Sequence, residues 1–276
     1  MDDILVPLDF SECSINASKV ALKLAKKWES EVTFTHLIPM EDDIEEKLAN
    51  AKEEFQRDIL KKVQKNNALL DQQVDIFTKE NIKATKIIQY DSSYENLIDY
   101  VKKNNINLII MGSQGICGVK ELISTTNAQM IVRKSPIPVL VVKNTPPESE
   151  FKYITFASDF RHYPSQGFRE IIRLAQRWKI KIRLLHICTP DKFEKSRDVL
   201  ARMKEYSKGI KEMIVSTHVF NAYSIEEGIM EFQNVAPFDI VAFVTRARSG
   251  LSRVFHHSLT EKVVNHVDIP VLATHE

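Results

Sequence analysis

The residues best placed to do chemistry are Gly112-Ser113-Gln114-Gly115, which follow directly on the apolar run Leu108-Ile109-Ile110-Met111. Glycines just past a strand let backbone amides approach a ligand, and a turn of this kind feeding a helix presents unpaired N–H groups. The guest that suits such a place is an anion, phosphate above all. Taken singly, Gly-x-x-Gly is more often a tight turn, so the pattern gains weight only from what surrounds it. Competing chemistries lack their parts. The chain holds no Gly-x-Ser-x-Gly elbow, and Cys117, though on the glycine loop, has no identifiable base as partner. Gly-x4-Gly-Lys-Ser/Thr is also missing, which argues against a motor-type or switch-type NTPase. His256-His257 has no carboxylate or cysteine at ligand spacing, so no metal is expected.

These residues need a scaffold, and the sequence supplies one. Ile4 to Val6 is a short apolar run, and Ala17, Val20, Ala21, Leu24 and Ala25 then recur at helical spacing, with Ser11 or Ser14 as N-cap. Val32 to Leu37 reads as a second strand. From Glu41 to about Leu70, Ile44, Leu48, Ala51, Phe55, Ile59, Leu60 and Val63 form one apolar stripe, the core face of an amphipathic helix. Ala84 to Gln89 reads as a third strand and Tyr94 to Lys103 as a third helix. Leu108 to Met111 is a fourth strand, unalternating as in a sheet covered on both faces, and a helix and a fifth strand at Pro138 to Val142 follow. Repeated β-α units closed by β predict a parallel sheet with right-handed crossovers.

Lys143-Asn144-Thr145-Pro146-Pro147-Glu148-Ser149-Glu150 carries no apolar side chain beyond its two prolines, and residues 144–150 read as a linker. The first half then recurs. Asp159 lies 159 − 9 = 150 residues after Asp9, and His186 lies 186 − 36 = 150 after His36. Further on, Val244 falls 244 − 112 = 132 after Gly112 and Pro270 falls 270 − 138 = 132 after Pro138, so the second copy is 150 − 132 = 18 residues shorter between His36 and about Tyr90. The long amphipathic helix is the simplest place for that loss. One offset with one clean change marks tandem domains of one fold, residues 1–143 and 151–276.

At 276 residues, 43% hydrophobic and 27% charged, the chain has material for two cores. A formal charge of +1 leaves no global field to attract nucleic acid or an anionic membrane. Cys13, Cys117 and Cys188 are few, odd in number and widely spaced, which fits a reducing compartment. With no leader-like start and no apolar run of spanning length, the expected home is the cytoplasm.

In order along the chain, these segments resemble the universal stress protein family, present twice. The resemblance rests on Ile4-Leu5-Val6-Pro7-Leu8-Asp9-Phe10-Ser11-Glu12, Thr35-His36-Leu37, Leu108 to Gly115, and Val132-Arg133-Lys134-Ser135-Pro136-Ile137-Pro138-Val139-Leu140-Val141-Val142. In the second copy it rests on Ala247 to Arg253, Thr260 to Val264 and Ile269 to Leu272. It implies an α/β, Rossmann-like fold: two repeated domains, each an open five-stranded parallel sheet flanked by helices, paired through their last strands as an intrachain pseudo-dimer. Association of full chains into a homodimer is left open. In one branch of the family, ATP binds at the strand ends through a Gly-x2-Gly-x9-Gly-Ser/Thr loop.

Carried over by position, that site comprises Pro7, Leu8 and Asp9 beside adenine and ribose, Leu37 beside the base, and Met111, Gly112, Gly115, Thr125, Thr126 and Asn127 toward the phosphates. Asp9 reads equally well as a loop residue capping the first helix. Thr125 stands where the third glycine belongs, and a Cβ there hinders a close phosphate or a positive φ. In the second copy Val244, Ala247 and His257 replace the three glycines, leaving Asp159, Ile187 and Ser258, so no nucleotide is expected there in the family manner. Arg246, Arg248 and Arg253 read as a solvated loop face. The resemblance thus implies a stress-response regulatory protein, without machinery for efficient catalysis, holding ATP or another adenine nucleotide in its first domain, with Mg2+ as an optional companion, and signalling to a protein partner. The alternatives are a ligand-free scaffold for partner recognition and a very slow ATPase.

Overall fold

The computed structural model describes residues 3–38, 53–90, 95–113, 127–146, 149–161, 165–245 and 267–276. The chain divides into two compact units, Met1–Gly112 and Ser113–Glu276. Gly115, Thr125 and Thr126 lie outside the described residues, as do Arg246, Arg248, Arg253, His256 and His257.

The first unit runs β1 (Asp3–Pro7), α1 (Glu12–Trp28), β2 (Val32–Ile38), α2 (Glu53–Lys79), β3 (Ala84–Tyr90), α3 (Glu95–Lys103) and β4 (Ile106–Gly112). Its strands lie in the order β3-β2-β1-β4, all parallel. β1 and β4 are buried through their middles, as unalternating apolar runs demand: Ile4, Leu5, Val6, Ile109 and Ile110 are fully enclosed. Two details of α2 depart from the sequence reading. The helix continues nine residues past Leu70, and Leu60, expected in the core, is 59% exposed. Among the side chains of α2 whose burial is described, residues 60–79, the buried ones are Leu70 and Phe77, one heptad apart, with Phe77 edge-on to Phe34 of β2 at 4.9 Å between ring centres. Leu60 stands off the line these two define.

The second unit runs α4 (Asn127–Lys134), β5 (Val139–Val142), β6 (Tyr153–Ala157), α5 (Gln166–Trp178), β7 (Lys181–Cys188), a 3₁₀ turn (Pro190–Lys192), α6 (Ser196–Tyr206), β8 (Ile214–Asn221), α7 (Ile225–Val235), β9 (Ile240–Thr245) and β10 (Val271–His275). Its strand order is β5-β10-β9-β6-β7-β8. All neighbours are parallel except β5 and β10, which run antiparallel with Val271 opposite Val141 and Ala273 opposite Val139. The last strands of the two sequence repeats therefore pair with each other, as the resemblance implies.

The repeat is visible in the backbone. α1 ends at Glu29 and α5 at Lys179, each in the left-handed conformation with its N–H returned to the helix's own carbonyls. Phe10 and Phe160 share the same positive φ just past β1 and β6. The length change falls where the offset places it: α2 has 27 residues, and its second-repeat counterpart α6 has 11. Among the described residues no helix is long and apolar enough to cross a membrane.

Candidate functional site

In the order β3-β2-β1-β4, successive strands step one way from β1 to β3, and β4 lies on β1's other side. The crevice between the carboxyl ends of β1 and β4 is the switch point at which open α/β sheets take ligands. Pro7, Leu8 and Asp9 leave β1 at that edge, Met111 and Gly112 end β4, and Leu37 is near the end of β2, which neighbours β1. Six of the ten site residues read from the sequence are thus gathered at the ends of three adjacent strands. Asn127 is the first residue of α4 in the second unit.

Their local roles differ. Leu8 and Met111 are 3% and 4% exposed, and both main-chain groups of Leu8 are engaged: its N–H donates to Thr35 O (2.7 Å), and its carbonyl accepts from His36 Nδ1 (2.6 Å). Leu37 and Pro7 are half-buried, leaving apolar surface at the edge. Asp9 is exposed. Its Oδ1 accepts from the Ser11 amide (2.9 Å) and the Ser11 hydroxyl (2.5 Å), while Ser11 caps α1 by accepting from Ser14 N (3.3 Å). Ser11, one of the two N-cap candidates, is thus the cap of α1, and Asp9 holds it in place. Loss of hydration raises the pKa of this carboxyl, but hydrogen bonds from Ser11 and Ser14 outweigh it and hold Asp9 below its ordinary range. At neutral pH it is an ionised acceptor.

His36 ties this edge together. The Leu8 carbonyl can only accept, so the His36 proton is on Nδ1 and Nε2 is an acceptor, served by Asn66 Nδ2 at 2.8 Å from α2. Phe10 lies against the same ring at 5.0 Å between centres. Gly112 has a structural reason of its own. A Cβ there would lie 2.5 Å from the main-chain atoms Cys13 C and Ser14 N, so the glycine lets the first turn of α1 close on the end of β4.

The second unit repeats the frame and changes the contents. Its switch point lies between β6 and β9, where Asp159 follows β6 and Val244 sits near the end of β9. His186 again donates from Nδ1 to a carbonyl, that of Ser158 (3.1 Å). Asp159 Oδ1 accepts from the Arg161 amide (3.1 Å). Val244 faces a glycine across the packing: a Cβ on Gly167 of α5 would lie 2.7 Å from Val244 Cγ1 and 2.7 Å from His275 O. Gly167 corresponds to Ala17 in the first repeat, so the small residue has moved from strand to helix.

An ionic cluster that the sequence reading did not foresee occupies the strand edge of the second repeat. Glu194 Oε1 meets Arg161 Nη2 at 3.0 Å, and Glu194 Oε2 meets Arg202 Nη2 at 2.8 Å. Arg202 Nη2 also donates to Asp159 O (3.3 Å). Loss of hydration raises Glu194, but the hydrogen bonds and charges of Arg161 and Arg202 prevail and lower it. Glu194 lies in the segment whose length differs between repeats, so no counterpart exists to flag it. The Gly167 exchange was legible, as the paired reversal of Ala17/Gly112 into Gly167/Val244.

The fold defines a class: a tandem of two doubly wound α/β repeats. A family model described as universal stress protein family matches residues 1–143 and again 150–275, and the chain belongs to that family. Universal stress protein MJ0531 of Methanocaldococcus jannaschii is 28% identical over 148 residues, spanning 51% of this chain and 81% of that protein. Universal stress protein YxiE of Bacillus subtilis is 24% identical over 144 residues, spanning 51% of this chain and 97% of its own. Across the whole molecule, the crystal structure of a universal stress protein from Archaeoglobus fulgidus matches with a TM-score of 0.74, covering 99% of this chain and 98% of that one. At 17% identity that likeness speaks to the fold.

Proposed function

We propose that the first repeat binds an adenine nucleotide, ATP being the best fit, and that the chain acts as a regulatory protein whose occupancy is read by a protein partner. The observation that carries this reading is the convergence of Asp9, Leu37 and Gly112 at the ends of β2, β1 and β4, beside the switch point. An ionised Asp9 suits the ribose hydroxyls, and the half-buried Leu37 suits an adenine face. Gly115, Thr125, Thr126 and Asn127 complete the motif in sequence and are assigned to the phosphates, with Mg2+ as counter-ion where it is present. The second repeat serves pairing and stability in this reading, its strand edge being filled by Glu194 and its arginines. The setting is the cytoplasm.

Calorimetric titration of the full chain with ATP and magnesium tests the site. Saturable binding at one per chain is expected, abolished by Asp9→Ala and by Gly115→Val while circular dichroism shows the fold intact. Unchanged affinity in both variants would sink the assignment, and failure of the wild type to bind would leave the partner-recognition scaffold as the function.

A further inference from the structure

The Glu194 cluster has the form of a ligand site holding a substitute for its ligand. We propose that the carboxyl edge of the second repeat is a phosphate site, built from Arg161, Arg202 and His186, which the chain fills with its own Glu194 carboxylate and which a hydrogen-phosphate group enters by displacing it.

Several observations converge. The cluster sits at the carboxyl edge of the sheet, where Arg161 follows β6 and Glu194 follows β7, one strand over from the β6–β9 switch point at which open α/β sheets take ligands. Two guanidinium groups aim at one carboxylate, 3.0 Å and 2.8 Å away, an arrangement that serves carboxylate and phosphate oxygens alike. Glu194 is a poor fit for what surrounds it. His186 is 5% exposed, its Nδ1 proton is committed to Ser158 O, and among the described residues its Nε2 has no hydrogen-bond partner although it faces Glu194 Oε1 at 3.7 Å. The two groups therefore stand beyond hydrogen-bonding distance of each other in a buried setting, which is costly. Arg202 Nε is likewise buried and without a hydrogen-bond partner among the described residues. The first repeat shows the satisfied version of the same histidine, with Asn66 donating to His36 Nε2. A hydrogen-phosphate group supplies both missing partners: its O–H donates to His186 Nε2, and its remaining oxygens accept from Arg161, Arg202 Nη2 and Arg202 Nε. A carboxylate has no proton to give. Entry is from the Arg161 side, where that side chain is 52% exposed.

The site is distinct from the one proposed in the first repeat, and its test is run so that the two fail separately. Inorganic phosphate is titrated into the full chain by calorimetry, for wild type, Glu194→Ala, and Glu194→Ala carrying Arg161→Ala and Arg202→Ala. Wild type is expected to take up phosphate weakly at one per chain, Glu194→Ala to bind it about tenfold or more tightly, and the triple variant to lose it. The gain persists when Asp9→Ala is added, which separates it from the nucleotide site. Sulfate, which has no proton to donate, binds more weakly than phosphate. Should Glu194→Ala fail to fold, Glu194→Gln removes the charge while keeping the volume and reads the same gain. A folded Glu194 variant that binds phosphate no better than wild type overturns the proposal, as does uptake undiminished in the triple variant, or a wild type that takes up none at millimolar phosphate.

Discussion

The same histidine closes the second strand of each repeat, and what faces its Nε2 separates the two halves. In the first repeat, Asn66 reaches His36 from a 27-residue helix, so both ring nitrogens are hydrogen-bonded beside an exposed Asp9. In the second, the counterpart helix has 11 residues, and Glu194 stands before His186 with two arginines behind it. The other side of the crevice differs as well: Gly112 admits the turn of α1 in one repeat, and Val244 fills the space over Gly167 in the other. Loss of the glycine motif from the second repeat is thus accompanied by new packing and a new charge arrangement. The second half is a rebuilt edge, differently charged, on an unchanged frame.

The comparison can be broken most severely at the glycines. Gly112→Val drives a branched side chain into the main chain of α1 and is expected to cost about 3 kcal/mol, read by urea denaturation. For that reason it is a poor probe of ligand binding. In the second repeat Gly167→Ala is expected to cost about 2 kcal/mol, and Val244→Ala in the same chain to restore about 1 kcal/mol, the His275 carbonyl still opposing the new methyl. Strict additivity of the two changes would show that helix and strand are not coupled there.

Charge effects are smaller. Glu194→Gln is expected to lose about 1 to 2 kcal/mol at neutral pH, because two guanidinium groups lose their counter-ion. Glu194 has a lowered pKa in the folded state, so its contribution is present above its unfolded value, about 4.3, and is lost as pH falls through the lower folded value. The gap between wild type and Glu194→Gln should therefore hold from neutral pH to about pH 5 and close in more acidic solution. Asp9→Ala is a milder change, about 0.5 to 1 kcal/mol, since it frees only Ser11 and the start of α1. It shares the same acidic window because the Asp9 pKa is also lowered. A thermal melt of Asp159→Ala, whose Oδ1 accepts from the Arg161 amide alone among the described residues, should show a smaller shift still.

The frame was legible because its signals are periodic and local. Apolar runs placed the strands, the 150-residue offset placed the second copy, and the resemblance placed the pairing of β5 with β10. The end of α2 was missed because the stripe was closed at Leu70, whereas the line of half-buried Val63 and buried Leu70 runs one heptad further to Phe77, with Leu60 off it. Positions at strand ends followed from topology, and Asp9, Leu37 and Gly112 lie at the ends of three adjacent strands. What a glycine makes room for cannot be seen in one strand: Gly112 answers to α1, and Val244 to Gly167. Glu194 and Asn66 escaped because both come from the segment whose length changed, where the repeat offers no register to compare, and their partners lie far off in sequence.

The central claim is an asymmetry: one repeat holds a nucleotide and the other does not. Native mass spectrometry of the full chain as purified, set against the same sample after denaturation and extraction, tests it most directly. The account predicts one adenine nucleotide per chain, retained from purification or taken up with added ATP and magnesium. A chain that stays empty under both conditions, or one that carries two nucleotides, contradicts it.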